Sequence, residues 1–365
     1  MIDRRLHGVV AIAVGAFLVT LAALVRLHVY PGAMLLPAEQ DRVTRMSSES
    51  GTYFDTAALR TRRGVPIDVA VARYGDLVRS TPDVAVWTEF VSVQTRTGSR
   101  VDYHERRAAF DRRTGQAVDC CDGYNDTDPR PRPRGLVFRW PLGARPISYP
   151  VYDPLARRAV TARFEAIETL HGVRVHRYAQ RLVNERLQQP AMNLPGTVLG
   201  LDRPGEVPAT AYLDGTRTFW VEPASGMVIG VRENLTKTLR TADGRGRLVL
   251  FSADLRTSSG DERWNAGEAG HFRSWSLVVG VVVPLSLALP GLAALLLGLR
   301  RQLRPDGPDP ASALGPDPDP ASGPGPAPAP GSGPGPAPAP APAPGPGPGE
   351  AAGTAAGRDP RPADA

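Results

Sequence analysis

The 365-residue sequence contains one lysine and two cysteines, and aromatic residues make up 6% of the chain. Two cysteines exclude a fold held together by many disulfides. The formal net charge is +6, but acids and bases interleave and no long basic face is evident, which disfavours a nucleic-acid-binding protein. The sequence contains no phosphate-binding loop and no HExxH, GxSxG or paired CxxC motif. We therefore expect a non-enzymatic protein without a cofactor or a nucleic-acid partner.

Proline is unevenly distributed, because 20 of the 38 prolines lie in the last 61 residues, from Pro305 to Ala365. This segment alternates Gly-Pro and Ala-Pro and has almost no apolar bulk. It cannot bury enough surface to offset the loss of chain entropy on folding. The sequence predicts an extended, disordered tail that acts as a spacer or as a crowding brush.

The first long apolar segment extends from Gly8 to Val25, 18 residues without a charge. As a helix it spans roughly 27 Å, which just covers a hydrocarbon core. A cleaved signal peptide is the competing interpretation, because Arg4 and Arg5 suit its basic start. However, the apolar run is longer than usual and no small-x-small cleavage site follows. We favour an uncleaved anchor.

The second apolar segment, Trp275 to Leu299, is uncharged over 25 residues, and arginines follow it at positions 300, 301 and 304. Basic residues flank the cytoplasmic ends of spans, so both termini are expected in the cytoplasm. The sequence predicts a two-pass plasma-membrane protein. Its expected parts are a cytoplasmic N-terminus (1–7), a first span (8–27), an extracytoplasmic mainly β domain (28–274), a second span (275–299) and a cytoplasmic disordered tail rich in Pro, Ala and Gly (300–365).

The extracytoplasmic part shows strand patterns more often than helical periodicity, so we predict a mainly β (α+β) fold. Val84–Thr95 is rich in β-branched and aromatic residues, and Arg217–Val231 places a turn between two apolar strands. The turn pattern recurs at Phe110–Val118 and, without its glycine, at Tyr152–Val160. The acids of the three turns are interpreted as structural, since they can accept backbone N–H bonds there: Asp111, Asp153 and Glu222.

Helices are expected at two places in this domain, Arg177–Gln189 and, more weakly, Val69–Val78. Loops are expected at Asp122–Pro133 and Pro195–Pro208. His171 and His176 flank a predicted strand and should point to opposite faces, so no shared metal is expected.

The segment Asp119–Asp128 contains four aspartates and the adjacent Cys120 and Cys121. Its spacing does not fit a calcium loop, so we expect no metal there. The Cα atoms of neighbouring cysteines lie about 3.8 Å apart, below the usual disulfide range of about 4.4–6.8 Å. Three states stay open for the two thiols: a strained ring, a link to another chain, or two buried thiols.

A stiff cationic strip follows, in which arginines alternate with prolines: Arg130, Arg132 and Arg134. Proline excludes helix there and keeps the chain extended. The strip could contact anionic lipid head groups or wall polymers, and a solvated loop is the alternative.

The order of several short motifs resembles an actinobacterial membrane family labelled PorA-type porin, formerly a domain of unknown function. The motifs are Phe110-Asp111 with Thr114-Gly115, Trp140-Pro141-Leu142-Gly143, Tyr149, Tyr152-Asp153, Gly172-Val173 with Tyr178, and the hairpin Trp220–Val228. The resemblance extends from the first span to about Arg304. It implies an envelope protein and supplies no catalytic residue. The turn at Tyr152–Val160 departs from the hairpin pattern, which leaves the strand register there open.

Three functions follow as hypotheses. The favoured one is a non-enzymatic envelope protein whose β domain binds a lipid-like or cell-wall component, or a partner, at the outer face of the plasma membrane. The hairpin Phe219–Val228 resembles those of lipoprotein-carrier-like sheets, which implies a concave apolar face rather than a filled core.

An oligomeric channel is the alternative, although a barrel pore needs alternating strands across the bilayer and the membrane is already accounted for by two helices. An envelope enzyme without a recognised motif is the third. Expected partners are the bilayer, a lipid or wall ligand, and a homo-oligomer or envelope protein.

Overall fold

The computed structural model describes residues 2–303, in which two long helices flank a large antiparallel sheet. The first helix comprises α1 (Ile2–Leu24), a π-helical turn (Val25–Val29) and α2 (Tyr30–Ala33). The second comprises α3 (Ser259–Leu277), a π-helical turn (Val278–Val282) and α4 (Val283–Leu303). Both are long and apolar enough to cross a membrane, over Leu6–Ala33 and Ser259–Leu303. The Pro-rich tail predicted from the sequence lies outside the described residues.

The prediction of a mainly β fold between the helices is confirmed, and helix in this part is limited to the start of the second long helix. The strands of the described residues are β1 (Asp41–Asp55), β2 (Arg60–Gly75), β3 (Val84–Thr95), β4 (Arg100–Asp111), β5 (Ala117–Val118), β6 (Tyr124–Asn125), β7 (Tyr149–Asp153), β8 (Arg158–Leu170), β9 (Val173–Arg186), β10 (Met192–Pro195), β11 (Glu206–Glu222), β12 (Met227–Arg240) and β13 (Arg247–Thr257). Their order in the sheet is β5-β4-β3-β2-β1-β13-β12-β11-β9-β8-β7, with β10 beside β11 and β6 beside β4. Each half of the chain thus forms a meander, and β1 pairs with β13 between them.

A short segment around Leu136 joins the two ends of the sheet. Leu136 forms an antiparallel bridge with Gln116, next to β5, and a parallel bridge with Val151 in β7. The Leu136 amide donates to the carbonyl of Pro150, and the Tyr152 amide donates to the carbonyl of Leu136, both at 2.8 Å. The sheet therefore curves round until its end strands share one segment, which pairs backbone groups that an open edge would leave exposed.

Both helices expected within the β domain are wrong. Arg177–Gln189 lies mainly in β9, and Val69–Val78 lies mainly in β2, which ends at Gly75. In β9, Gln180 and Leu182 are buried while Arg181 and Val183 are exposed, the alternation of a strand. Pairing with β8 and β11 overrides the local helix propensity of the sequence.

The three predicted turns and the strand Val84–Thr95 are confirmed. The acid of each turn accepts backbone N–H bonds from the turn, including Thr114 N to Asp111 at 2.8 Å, Ala156 N to Asp153 at 2.8 Å and Ser225 N to Glu222 at 2.7 Å. The turn without glycine keeps the same form because Arg157 has a positive φ of 52°. Gly115 and Gly226, at the equivalent positions of the other two turns, also have positive φ, 70° and 64°. Asp153 then pairs with Arg158, which settles the register that the sequence left open.

Helix α3 is fixed to both halves of the sheet. Ser258 caps its N-terminus by accepting a hydrogen bond from the Asp261 amide at 3.1 Å. The Asp261 carboxylate accepts one from Arg42 of β1 at 2.8 Å, and Asn265 donates to the carbonyl of Ile229 in β12 at 3.0 Å. The second long helix therefore leaves the sheet in a defined direction.

Glycines bring α1 and α4 into direct backbone contact. A Cβ atom at Gly15 would lie 2.6 Å from the carbonyl oxygen of Gly291, and one at Gly298 would lie 2.9 Å from that of Gly8. Small residues permit such close approach between apolar helices. The pairing is antiparallel, so the start of α1 lies beside the end of α4.

We predict that Gly15→Leu separates these helices, because the new side chain meets Gly291 and Leu295 at less than 3 Å. Overpacking of this kind costs about 1–3 kcal/mol, so the thermal midpoint of the full-length chain in detergent should fall. The matched control is Gly32→Leu, since a Cβ atom at Gly32 meets nothing within 4 Å. Equal losses in the two variants would contradict the packing described.

Candidate functional site

A cavity of about 210 Å³, termed here the inner cavity, lies within the curved sheet. Alternate residues of the strands line it, because every second side chain of a strand points to the same face. Its apolar wall includes Met46, Val69, Val71, Val91, Val93, Leu213, Phe219, Val231, Leu235, Phe251 and Leu255. For comparison, an engineered apolar cavity of about 150 Å³ takes up benzene. The inner cavity is thus large enough for an apolar group.

In a first charged cluster in the cavity wall, two arginines form ion pairs with one glutamate. Glu89 accepts hydrogen bonds from Arg73 at 2.6 Å and from Arg106 at 2.7 Å, and its side chain is 5% exposed. Burial alone would raise the pKa of Glu89, but the two guanidinium groups outweigh it and lower the pKa to about 2. The cluster therefore carries one net positive charge.

A second cluster holds one arginine between two acids. Arg217 donates to Asp153 and Glu233 and, at 3.3 Å, to Gln180. Asp153 is fully buried and also closes the turn after β7, so it links the turn to the cavity wall. Burial would lower the pKa of Arg217, but the two carboxylates outweigh it and raise the pKa above its ordinary value.

The third cluster was not predicted from the sequence. His104 lies between Asp102 and Asp126, with each ring nitrogen 3.2 Å from a carboxylate oxygen, and the single lysine, Lys237, lies 3.4 Å from Asp102. Burial would lower the pKa of His104, but hydrogen bonds to the two acids and their charge outweigh it and raise the pKa to about 9. The pattern Asp-x-His-x-Arg at positions 102–106 of β4 was the available signal, since it places three polar side chains on one face.

His104 meets one condition of the enzyme hypothesis, a histidine within hydrogen-bond reach of a carboxylate in a cavity. With its pKa near 9, however, the imidazole is protonated at neutral pH. A protonated ring can donate a proton but has no free lone pair with which to accept one, so it is not a general base. We read the cluster as a set of balanced charges that closes part of the wall.

A second cavity of about 540 Å³, termed the helix-side cleft, lies between the sheet and the residues next to the long helices. Pro37 and Gln40, which follow α2, line it together with Trp264 and Phe272 of α3. Three residues line both the cleft and the inner cavity: Arg73, Phe138 and Val228. The two cavities therefore adjoin, with the cleft on the side of the helices.

The site residues predicted from the sequence lie elsewhere. Cys120 and Cys121 are joined as a disulfide ring in an exposed turn, with Cα atoms 3.8 Å apart. Arg130, Arg132 and Arg134 are exposed, and the first two line a separate depression beside Cys120. None of these five residues lines the inner cavity.

His171 and His176 have different partners. His171 contacts Glu262 at 2.9 Å, whereas His176 contacts the Tyr178 hydroxyl at 3.3 Å. Within residues 2–303 no group of three or more His, Cys, Asp or Glu side chains is arranged to hold a metal ion.

We predict that Asp153→Asn lowers the free energy of unfolding more than Asp111→Asn does. Both acids close equivalent turns, but only Asp153 also pairs with a buried arginine. Removing one partner of a buried pair costs about 3–5 kcal/mol, and we expect about 3 because Glu233 still contacts Arg217. Asp111→Asn should cost less than about 1 kcal/mol. Urea unfolding of the full-length chain measures both, and similar losses would refute the role of the buried pair.

We also predict that stability falls as the pH rises through 9. The folded-state pKa of His104, about 9, exceeds its ordinary 6.5, so its contribution is complete below pH 6.5 and is lost as the pH passes the folded value. The thermal midpoint between pH 6 and 10 should fall less steeply in His104→Gln. His271→Gln, outside the inner cavity, is the control and should keep the wild-type slope. An unchanged slope in His104→Gln would show that this histidine is not the group responsible.

Comparison with known proteins bears out the family resemblance. Residues 7–300 match the family described as Porin PorA. The chain is similar to Porin PorA of Corynebacterium amycolatum, with 23% identity over 224 residues that cover 50% of this chain and 58% of that relative. It is also similar to a protein described as exported, with a YmcC-like fold, from Bacteroides fragilis (9% identity, 61% of this chain and 97% of that one), at a TM-score of 0.21 that supports no conclusion about fold. Because the family match covers most of its length, the chain belongs to the porin PorA family.

Proposed function

We propose that this chain is a non-enzymatic envelope protein whose sheet binds an apolar, lipid-like molecule in the inner cavity, beside a membrane. The observation that carries the proposal is the inner cavity itself, an apolar space of about 210 Å³ on the concave face of the sheet. A core filled with side chains would have left no such space. Apolar walls with a few placed polar groups are typical of small-molecule sites.

The position of the long helices supports a site next to the bilayer. The two helices pair through their glycines and continue directly into the residues that line the helix-side cleft. In this proposal the chain crosses the plasma membrane twice, both termini are cytoplasmic and the sheet lies outside. A ligand in the bilayer would then reach the cleft without crossing bulk water.

We predict that a lipid-like molecule co-purifies with the protein and is lost when the inner cavity is filled. Val91→Trp places a large ring into the inner cavity. Val183→Trp, on β9, is the matched control, because Val183 is 79% exposed. Native mass spectrometry of the detergent-extracted chain should detect bound lipid in wild type and Val183→Trp and much less in Val91→Trp. Equal occupancy in both variants, or none in wild type, would contradict the proposal.

A second candidate is a subunit of an oligomeric channel, and family membership together with the relative named Porin PorA favours it. The sheet itself is not suited to form the pore wall. A membrane-spanning barrel is apolar outside and polar inside. Here the outer face carries ion pairs such as Arg232–Asp254 and Arg177–Glu165, while the inner cavity is largely apolar. A channel would therefore be built from the helices of several chains.

Planar-bilayer recording tests this second candidate. A channel subunit gives reproducible single-channel steps after reconstitution of the purified full-length chain, and Gly15→Leu, which separates the helices, abolishes them. Persistent silence across lipid compositions would count against a channel. Steps that survive Gly15→Leu would show that the paired helices do not form the pore.

A further inference from the structure

Three arginines line the inner cavity and the helix-side cleft that adjoins it. Arg106 lines the inner cavity, Arg139 lines the helix-side cleft, and Arg73 lines both. Among the ion pairs of residues 2–303, Glu89 is the carboxylate that contacts Arg73 and Arg106, and no carboxylate lies within 4 Å of the Arg139 guanidinium. Two arginines on one carboxylate leave a positive charge in the wall, while Glu268, which also lines the helix-side cleft, acts on Arg139 through its charge without an ion-pair contact.

Arg106 is buried with a donor that has no acceptor. The residue is 7% exposed, its Nε donates to Glu89 at 2.7 Å, and its guanidinium lies 4.5 Å from the centre of the Phe138 ring. Its Nη1 has no hydrogen-bond partner although it is buried. An unsatisfied buried donor costs about 1–3 kcal/mol, and more when it is charged. The structure thus contains a donor that a ligand could satisfy.

Trp140 provides a second buried donor in the same cavity. It is 3% exposed, lines the inner cavity, and its indole Nε1 also has no partner. Indole and guanidinium nitrogens only donate hydrogen bonds. A group that satisfies either of them must accept a hydrogen bond, as the oxygens of a phosphate or a carboxylate do.

Arg139 adds charge on the side of the helix-side cleft. Its guanidinium lies 5.5 Å from the centre of the Trp87 ring. Burial and the nearby charge of Arg73 outweigh the opposing charge of Glu268 and lower the pKa of Arg139 to about 10, so it remains a cation at neutral pH. The repulsion between Arg139 and Arg73 is relieved when an anion binds beside them.

We propose that the junction of the inner cavity and the helix-side cleft binds an oxyanion, the phosphate or carboxylate head of an amphiphile whose chain occupies the inner cavity. The apolar part of this ligand rests on the proposed function, binding of a lipid-like molecule in the inner cavity. The anionic head group is inferred from the buried donors that have no acceptor. Arg106 donates to the anion from the inner cavity and Arg139 from the helix-side cleft, while Arg73 keeps its contact with Glu89. The ligand class is thereby narrowed from lipid-like molecules to anionic ones.

The test measures binding of three probes to the full-length chain in a non-ionic detergent, by tryptophan fluorescence: dodecyl phosphate, dodecanol and inorganic phosphate. We expect dodecyl phosphate to bind at least tenfold more tightly than either of the others. Arg139→Gln should weaken dodecyl phosphate about tenfold and leave dodecanol unchanged, and Arg139→Lys should restore most of the affinity. Arg60→Gln is the control, because Arg60 is exposed at the opposite end of β2 from Arg73.

The outcomes separate the anion site from the apolar cavity. Equal affinity for dodecanol and dodecyl phosphate, or an unchanged affinity in Arg139→Gln, overturns the anion site and leaves the cavity intact. Inorganic phosphate binding as tightly as dodecyl phosphate, and weakened by Arg139→Gln, supports an oxyanion site but rejects the apolar chain. Binding of none of the probes overturns both. Circular dichroism of each variant confirms that it is folded.

Discussion

Closure of the sheet at Leu136 is the contact on which the cavity depends. The backbone groups of Leu136 bond to β7, while those of its neighbours Gly135 and Val137 bond to Ala117 and Gly115. Three residues thus complete the pairing of both end strands. Without this contact the end strands would separate, and the apolar face now turned inward would be open to water.

The closed sheet explains why charged side chains are tolerated inside it. The clusters around Glu89, Arg217 and His104 each hold acids and bases in direct contact, so that no cluster has more than about one uncompensated charge. They lie among apolar residues of the same strands. The wall therefore keeps an apolar space, and the cluster with one extra positive charge, around Glu89, includes Arg73, which lines both the inner cavity and the helix-side cleft.

The sequence predicted the local features well, since turns depend on few residues. The bounds of Val84–Thr95 and the roles of the turn acids follow from β-branched runs and from acids placed before glycine. The composition of Arg177–Gln189 favours a helix, and only pairing with neighbouring strands of the sheet makes most of this segment a strand. His104 was missed for the same reason, since Asp126 and Lys237 come from other parts of the chain. Inner cavities of this kind result from curvature, which single-strand patterns do not encode.

Amide hydrogen exchange at the closing segment tests the central claim most directly. The Leu136 amide donates to Pro150 and the Tyr152 amide donates to Leu136, both at 2.8 Å, so these two bonds join the closing segment to β7. Arg132 and Arg134 lie in the exposed cationic strip just before that segment. If the sheet is closed, the first two amides should exchange at least about 100-fold more slowly than the second two, as in other core strands. Exchange at Leu136 and Tyr152 as fast as in the strip would show an open sheet and contradict the inner cavity.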